Sequence, residues 1–433
     1  MNFKNGKCTC GKIHTADVDR IITGSGAIKS LPEIIKEYGI KKPFIISDKN
    51  TFAAAGKSVC EILDGEKIPY TSFRFAKDNI EPDEYFVGSA VMHFDRSCDA
   101  VIGVGSGVIN DISKIVSSVA GCRYIIVATA PSMDGYASAS SSVSMDGLKV
   151  SLPSRCADVI IGDTDILVNA PMNMLKSGIG DMLAKYISIC EWRISALVTG
   201  EYYCEEIASY IRDALKRCTD NADGFLKRDK AAVEAVFDGL CAGGLAMAYA
   251  GLSRPASGVE HYISHIWDMR GLEFGTHCDT HGIQCAVGTL IAARLYEVIE
   301  STKPNKEKAL EYARSFSLED WHNRLREFLG SAAETMIELE KKENKYSTEK
   351  HEKRLSVIVE NWEKITEIIN EEIPTADDLV KLMNKLEIPL TAEEIGMDAD
   401  LIPITFKATK DIRDKYVLSR LAWDLGIIEE LKI

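Results

Sequence analysis

The period of the hydrophobic pattern changes near residue 165. Before that point, short apolar runs alternate with amphipathic ones. PFIISD (43–48), SFRF (72–75), AVIGVG (100–105) and YIIVAT (124–129) read as strands. AAAGKSVCEILDG (53–65), PDEYFVGSAVMHF with Pro82 at its head, and VINDISKIVSSVA (108–120) read as the helices between them. Strand and helix alternating in units this short imply a parallel sheet wrapped by right-handed crossovers.

From about residue 170 apolar residues recur at spacings of three and four, and no convincing strand intervenes. MLKSGIGDMLAKYISICEW, EEIASYIRDALKRC, AAVEAVFDGLCAGGLAMAYAGL and GIQCAVGTLIAARLYEVIE all follow this pattern. The predicted fold is therefore an α/β N-terminal domain with a Rossmann-like parallel sheet (1–167), followed by an all-helical C-terminal domain (168–433). A length of 433 residues, 46 % of them hydrophobic, agrees with two domains rather than one core.

Charge and cysteine usage narrow the partners. A net charge of -14 without large basic clusters argues against nucleic acid, yet leaves room for a small anion held by a few local donors. No run of about 18 uncharged apolar residues appears and the start, MNFKNGKCTCGKIHT, is polar, so neither a membrane partner nor secretion is expected. Twelve cysteines scattered singly read as reduced thiols of a cytoplasmic protein. So large an apolar helical domain suggests a homo-oligomer, a dimer or higher.

Several segments carry candidate chemistry. GVGSGVIND (103–111) follows a predicted strand and opens a predicted helix, which suits either a phosphate cradle or a simple tight turn. Val108 stands where the last glycine of a dinucleotide fingerprint belongs. Gly56-Lys57-Ser58 is not a P-loop, because Thr51 occupies the position of its first glycine. Asp48, at a strand's carboxyl end, suits either an adenosine-ribose acceptor or a helix N-cap. TAPSMDGYASASSSV (129–143), with Asp134 in its middle, is too small and polar to pack a core and reads as a loop covering a ligand.

Four of the eight histidines, His261, His265, His277 and His281, fall within HYISHIWDMRGLEFGTHCDTH (261–281). His261 and His265 lie four apart on one helix face, and His281 heads a further helix beside Gly282. Asp181 is expected early in its helix, where the dipole favours a carboxylate. One carboxylate with two or three imidazoles suits a divalent metal with an open position. In CTCGKIH, Cys8, Cys10 and His14 offer three soft donors. A structural zinc site needs a fourth, usually with wider cysteine spacing, so this segment reads as a strand or loop without metal.

The motifs GSGVINDISK, TAPSMDGYAS, GIGDMLAK, SGVEHYISH and HGIQCAVGTL occur in that order. On them the chain resembles the sn-glycerol-1-phosphate dehydrogenase family, especially its longer bacterial members. That family sits in a wider group with glycerol dehydrogenases, iron-type alcohol dehydrogenases and dehydroquinate synthases. The resemblance implies reversible NAD(P)H-linked reduction of dihydroxyacetone phosphate to sn-glycerol 1-phosphate, a step of phospholipid biosynthesis. It also implies one divalent ion, zinc or nickel ahead of iron or manganese. Gly107, Val108, Ile109, Asn110 and Asp111 would meet the cofactor pyrophosphate, Thr129, Ser132 and Ser138 would also touch the cofactor, and Asp48 would take the ribose.

By the same resemblance, Asp134 and His265 would face the substrate, and Asp181, His261 and His281 would hold the metal, Asp181 being catalytic as well. Asn110 departs from the isoleucine of many relatives, and His277 competes with His281 as third ligand. His265, Lys149, Arg155 and Arg254 are candidate donors to the substrate phosphate, although each basic residue reads more readily as half of a surface salt bridge. The rival readings are a glycerol dehydrogenase, a dehydroquinate synthase-like enzyme and a non-catalytic metal- or NAD-binding protein.

Overall fold

The computed structural model describes residues 6–77, 79–145, 148–276 and 278–432, without the side chains of residues 148 and 149. Its strands are β1 (Gly6–Lys7), β2 (Ile13–His14), β3 (Arg20–Gly24), β4 (Pro43–Ser47), β5 (Thr71–Arg74), β6 (Ala100–Gly105), β7 (Arg123–Ala128), β8 (Ser140–Met145), β9 (Leu148–Pro153) and β10 (Val159–Asp163). Six of them form one sheet in the order β3-β10-β7-β6-β4-β5, and every pair in it is parallel. β4, β6 and β10 are buried at every residue, as parallel strands covered on both faces must be.

The four strands expected from sequence lie within a residue or two of the observed ones. Two more, β3 and β10, complete the sheet, while β8 and β9 form a separate antiparallel hairpin. Residues 140–143, expected as loop, thus belong to a strand. Their backbone finds a partner in β9 even though the side chains are mostly serine.

The connection from β4 runs outward to β5, and the chain then returns to the other side of β4 to form β6. The order in which strands are added therefore reverses between β4 and β6. In open parallel sheets, the crevice at the carboxyl ends of such a strand pair is where ligands bind.

After Asp163 no described residue lies in a strand; the chain is helical to Asp424. The chain forms two compact units, one of residues 1–182 with 209–252, the other of 183–208 with 253–433. This grouping differs from a cut after residue 167, because the helix Lys230–Ala250 covers the sheet. Thr23 Oγ1 donates to Asp238 Oδ1 at 2.9 Å and Thr164 Oγ1 to Glu234 Oε2 at 2.9 Å. A change from strands to helices is therefore not where this molecule divides.

By length and composition alone, the helices Lys230–Ala250 and His281–Glu300 would suffice to cross a membrane. Their most apolar windows are 61 % and 78 % buried inside the protein, as core helices are.

Candidate active site

In the first unit, the helix Gly107–Ala120 starts two residues after β6 ends, so its first turn points its N-H groups at the carboxyl edge of the sheet. The Asn110 N-H already donates to the Ser106 carbonyl at 2.9 Å. Gly107, Val108 and Ile109 are thus the residues whose N-H groups precede the first intrahelical bond. The Asn110 side chain is fully buried, accepting from Tyr124 Oη at 2.9 Å and donating to the Gly135 carbonyl at 3.2 Å. Asp111 is half-buried, and its Oδ2 accepts from the Ser142 N-H at 3.3 Å. Asp48 follows β4 and caps a short helix, its Oδ1 accepting from the Thr51 N-H at 2.8 Å.

The 129–138 segment lies against the carboxyl end of β6. The Thr129 N-H donates to the Gly105 carbonyl at 3.1 Å, and Thr129, Ser132 and Ser138 are each less than a tenth exposed. Lys114, inside the GSGVINDISK motif, was not singled out from sequence. Its ammonium donates to the Gly135 carbonyl at 2.6 Å, Ser138 Oγ at 3.0 Å and the Ser140 carbonyl at 3.0 Å, tying this segment down. Burial pulls the Lys114 pKa down, against the opposing pull of Asp111.

Asp134 opens a single 3-10 turn, and its N-H donates to Asp181 Oδ2 at 2.9 Å. Asp181 is fully buried and lies in the last turn of the helix Met172–Leu183, not the first. The helix dipole therefore opposes this carboxylate instead of favouring it. Glycines admit the segment between two helices of this unit. A Cβ on Gly178 would sit 1.7 Å from the Pro131 carbonyl oxygen, and one on Gly244 would sit 2.8 Å from the Asp134 carbonyl oxygen.

In the second unit, the helix Val259–Phe274 ends at Gly275, at φ 67°. The chain then returns into the helix His281–Glu300. The two helices approach closely at Gly288, where a Cβ would meet the Glu260 backbone at 2.9 Å. His281, Cys285 and Gly288 follow at intervals of four and three, so they share the face turned to that contact. The result is a cluster of imidazoles, with ring centroids of His261 and His281 at 5.0 Å and of His265 and His281 at 5.9 Å.

Glu260 Oε1 lies 2.7 Å from His261 Nδ1, which fixes that ring. Ser264 Oγ lies 3.2 Å from His281 Nδ1. Cys285, fully buried, was also missed from sequence, although its spacing from His281 was visible there. Ligating atoms of His261, His281 and Cys285 fall within 4.8 Å of one another. Burial raises the Cys285 thiol, but the His261 and His281 imidazoles outweigh it, leaving the thiol below its ordinary pKa.

Other candidates are committed elsewhere. Arg254 is buried against Glu201, with Nη2 to Oε2 at 2.7 Å, and it also donates to the Tyr416 carbonyl at 2.8 Å. Arg155 pairs with Asp158 at 3.0 Å and donates to the Cys122 carbonyl at 2.6 Å. Both follow the salt-bridge reading. His277 and the Lys149 side chain lie outside the described residues.

A parallel-sheet unit carrying a glycine-opened helix and a helical unit carrying clustered imidazoles make up the chain. A family model described as iron-containing alcohol dehydrogenase matches residues 22–171. The fold is shared with a glycerol dehydrogenase from Schizosaccharomyces pombe (TM-score 0.61, 18 % identity, 97 % of this chain and 90 % of that one). It is shared too with an archaeal halo-thermophilic Red Sea brine pool alcohol dehydrogenase (TM-score 0.59, 14 % identity, 97 % of this chain and 99 % of that one).

The chain belongs to the glycerol-1-phosphate dehydrogenase family. It is 32 % identical over 295 residues to the NAD(P)+ glycerol-1-phosphate dehydrogenase of Halalkalibacterium halodurans, covering 67 % of this chain and 74 % of that protein. To the enzyme of the same name from Bacillus licheniformis it is 31 % identical over 314 residues, covering 72 % of this chain and 78 % of that protein.

Proposed function

We propose that this chain catalyses the reversible NAD(P)H-linked reduction of dihydroxyacetone phosphate to sn-glycerol 1-phosphate. Family membership carries the reading, since the relatives matched over most of their length bear that activity in their names. The crevice between β4 and β6 suits the dinucleotide, with the N-H groups of Gly107, Val108 and Ile109 available to the pyrophosphate. In this reading Asp111, Thr129, Ser132 and Ser138 are further cofactor contacts, and Asp48 takes the adenosine ribose with the carboxylate oxygen not used in its cap. Asn110 serves through its buried side chain, which holds the loop at Gly135.

The donor chemistry fits a divalent ion held by Asp181, His261 and His281, zinc or nickel ahead of iron or manganese. The orientation of His261 by Glu260 supports this, because metal-binding imidazoles are ordinarily fixed through their other nitrogen. Such an ion supplies Lewis acidity toward the substrate's oxygens, and NAD(P)H supplies the hydride. Asp134 and His265 orient the substrate. With Arg155 and Arg254 engaged in ion pairs, His265 is the remaining described candidate for the phosphate. Assembly as a dimer or higher oligomer is part of the same proposal.

The test is substrate selectivity, followed by the loss of reduced nicotinamide absorbance. Dihydroxyacetone phosphate is expected to be reduced far faster than dihydroxyacetone, and glycerol to be a poor substrate for the reverse reaction. Equal rates with and without the phosphate would favour a glycerol dehydrogenase.

A further inference from the structure

The N-terminal hairpin takes no part in the chemistry above. β1 and β2 pair over two residues each, Gly6 opposite His14 and Lys7 opposite Ile13. Their turn is closed by Cys8 N-H to the Lys12 carbonyl at 2.9 Å and Gly11 N-H to the Cys8 carbonyl at 3.0 Å, with Gly11 at φ 87°. Strands this short do not hold a hairpin by themselves. The turn gathers Cys8, Cys10 and His14, whose ligating atoms lie within 4.8 Å of one another. Cys10 Sγ stands 3.3 Å from His14 Nε2. Sulfur and nitrogen donors on one tetrahedral zinc ion, with bonds of about 2.3 and 2.0 Å, stand roughly 3.5 Å apart.

Two further contacts point to a metal ligand rather than to a buried core histidine. His14 is 1 % exposed, and its Nδ1 lies 2.7 Å from the Tyr249 carbonyl oxygen. A carbonyl only accepts, so Nδ1 carries the proton and Nε2 turns its lone pair toward Cys10. That tautomer, fixed through the far nitrogen, is the one zinc-binding imidazoles adopt. The Cys10 N-H also donates to Cys8 Sγ at 3.4 Å, an interaction that stabilises a thiolate more than a thiol.

We propose that Cys8, Cys10 and His14 form a second metal site, which takes one borderline-soft divalent ion, zinc by preference. Binding releases the thiol protons to solvent and forms two metal-sulfur bonds and one metal-nitrogen bond from Cys8, Cys10 and His14, with a further side chain closing the fourth position. Its work is structural, fixing the hairpin against the end of the helix that carries Tyr249. The close spacing of the two cysteines, which argued against a metal in the sequence, is accommodated by the tight turn at Gly11.

The test is a zinc count on the full chain after loading and dialysis, in the wild type, in C8S/C10S and in H261A/H281A. The wild type is expected to hold one equivalent more than C8S/C10S, and H261A/H281A to retain one. Cobalt bound to H261A/H281A should show thiolate-to-cobalt charge-transfer absorption in the near ultraviolet, unchanged by adding C285S. Absence of zinc from H261A/H281A, or bound cobalt without that absorption, would overturn the proposal. Neither readout requires C8S/C10S to fold.

Discussion

Asp181 accepts a 2.9 Å hydrogen bond from the Asp134 N-H while buried at the carboxyl end of its own helix. This couples the 129–138 loop to a carboxylate that its helix dipole disfavours. A charge placed so unfavourably for stability is expected at a working position. Asp181→Asn keeps an acceptor for Asp134 and loses only the charge. Turnover should fall by at least roughly 100-fold and bound metal should drop, with melting temperature unchanged or raised. Full activity with full metal content would remove Asp181 from the ligand set.

In the proposed site Glu260 acts through His261, whose Nδ1 lies 2.7 Å from Glu260 Oε1. Glu260→Gln weakens the grip on Nδ1, and metal affinity is expected to fall by about 10–100-fold. Excess metal should restore turnover, whereas loss that no metal concentration repairs would point to a purely structural Glu260.

Gly178 has no room for a side chain, since its Cβ would lie 1.7 Å from the Pro131 backbone oxygen. Gly178→Ala must push the loop bearing Thr129 and Ser132 away from its helix. The expected cost is about 1–3 kcal/mol in urea denaturation, with weaker NADH binding alongside. An unchanged NADH affinity would detach this loop from the cofactor.

The second unit holds a buried ionic cluster. Asp411 accepts from Lys410 Nζ at 2.9 Å, Arg420 Nη2 at 2.8 Å, Tyr346 Oη at 2.6 Å and Trp321 Nε1 at 2.8 Å. Burial raises the Asp411 pKa, but Lys410 and Arg420 outweigh it and hold the carboxyl below its ordinary value. Burial also pulls Lys410 down to about 7, against the opposing pull of Asp411. A depressed carboxyl pKa contributes stability above the unfolded value, which is lost as pH falls through the folded one. Asp411→Asn should cost about 3–5 kcal/mol near neutrality, and its deficit should shrink in acid. Denaturation midpoints across an acid pH series, wild type against variant, measure this.

Much of this was legible in the sequence, for physical reasons that particular residues illustrate. β4 and β6 were readable because parallel strands buried on both faces are continuous apolar runs. β3 and β10 offer five residues each and no alternation, too little for periodicity to separate strand from helix. The 174–192 stretch reads as one helix, yet it breaks at Ala184 without glycine or proline, and the first helix begins at Met172 beyond Pro171. Asp181 therefore reads as lying early in one long helix, although it lies in the last turn of the first of two. The pairing of His261 with His281 depends on Gly288 and on the reversal at Gly275, which only tertiary packing reveals. The serines of β8 read as loop because composition does not show where backbone hydrogen bonds will be satisfied.

The most direct measurement of the central claim is oxidation of NADH by dihydroxyacetone phosphate. It is run on metal-stripped protein and after adding zinc, nickel, manganese or iron singly. The product is then offered to a glycerol-3-phosphate dehydrogenase specific for the opposite enantiomer. The account predicts no turnover without metal, turnover restored by at least one ion, and a product that enzyme refuses. Protein that binds NADH and metal yet never oxidises NADH with this ketone would contradict it.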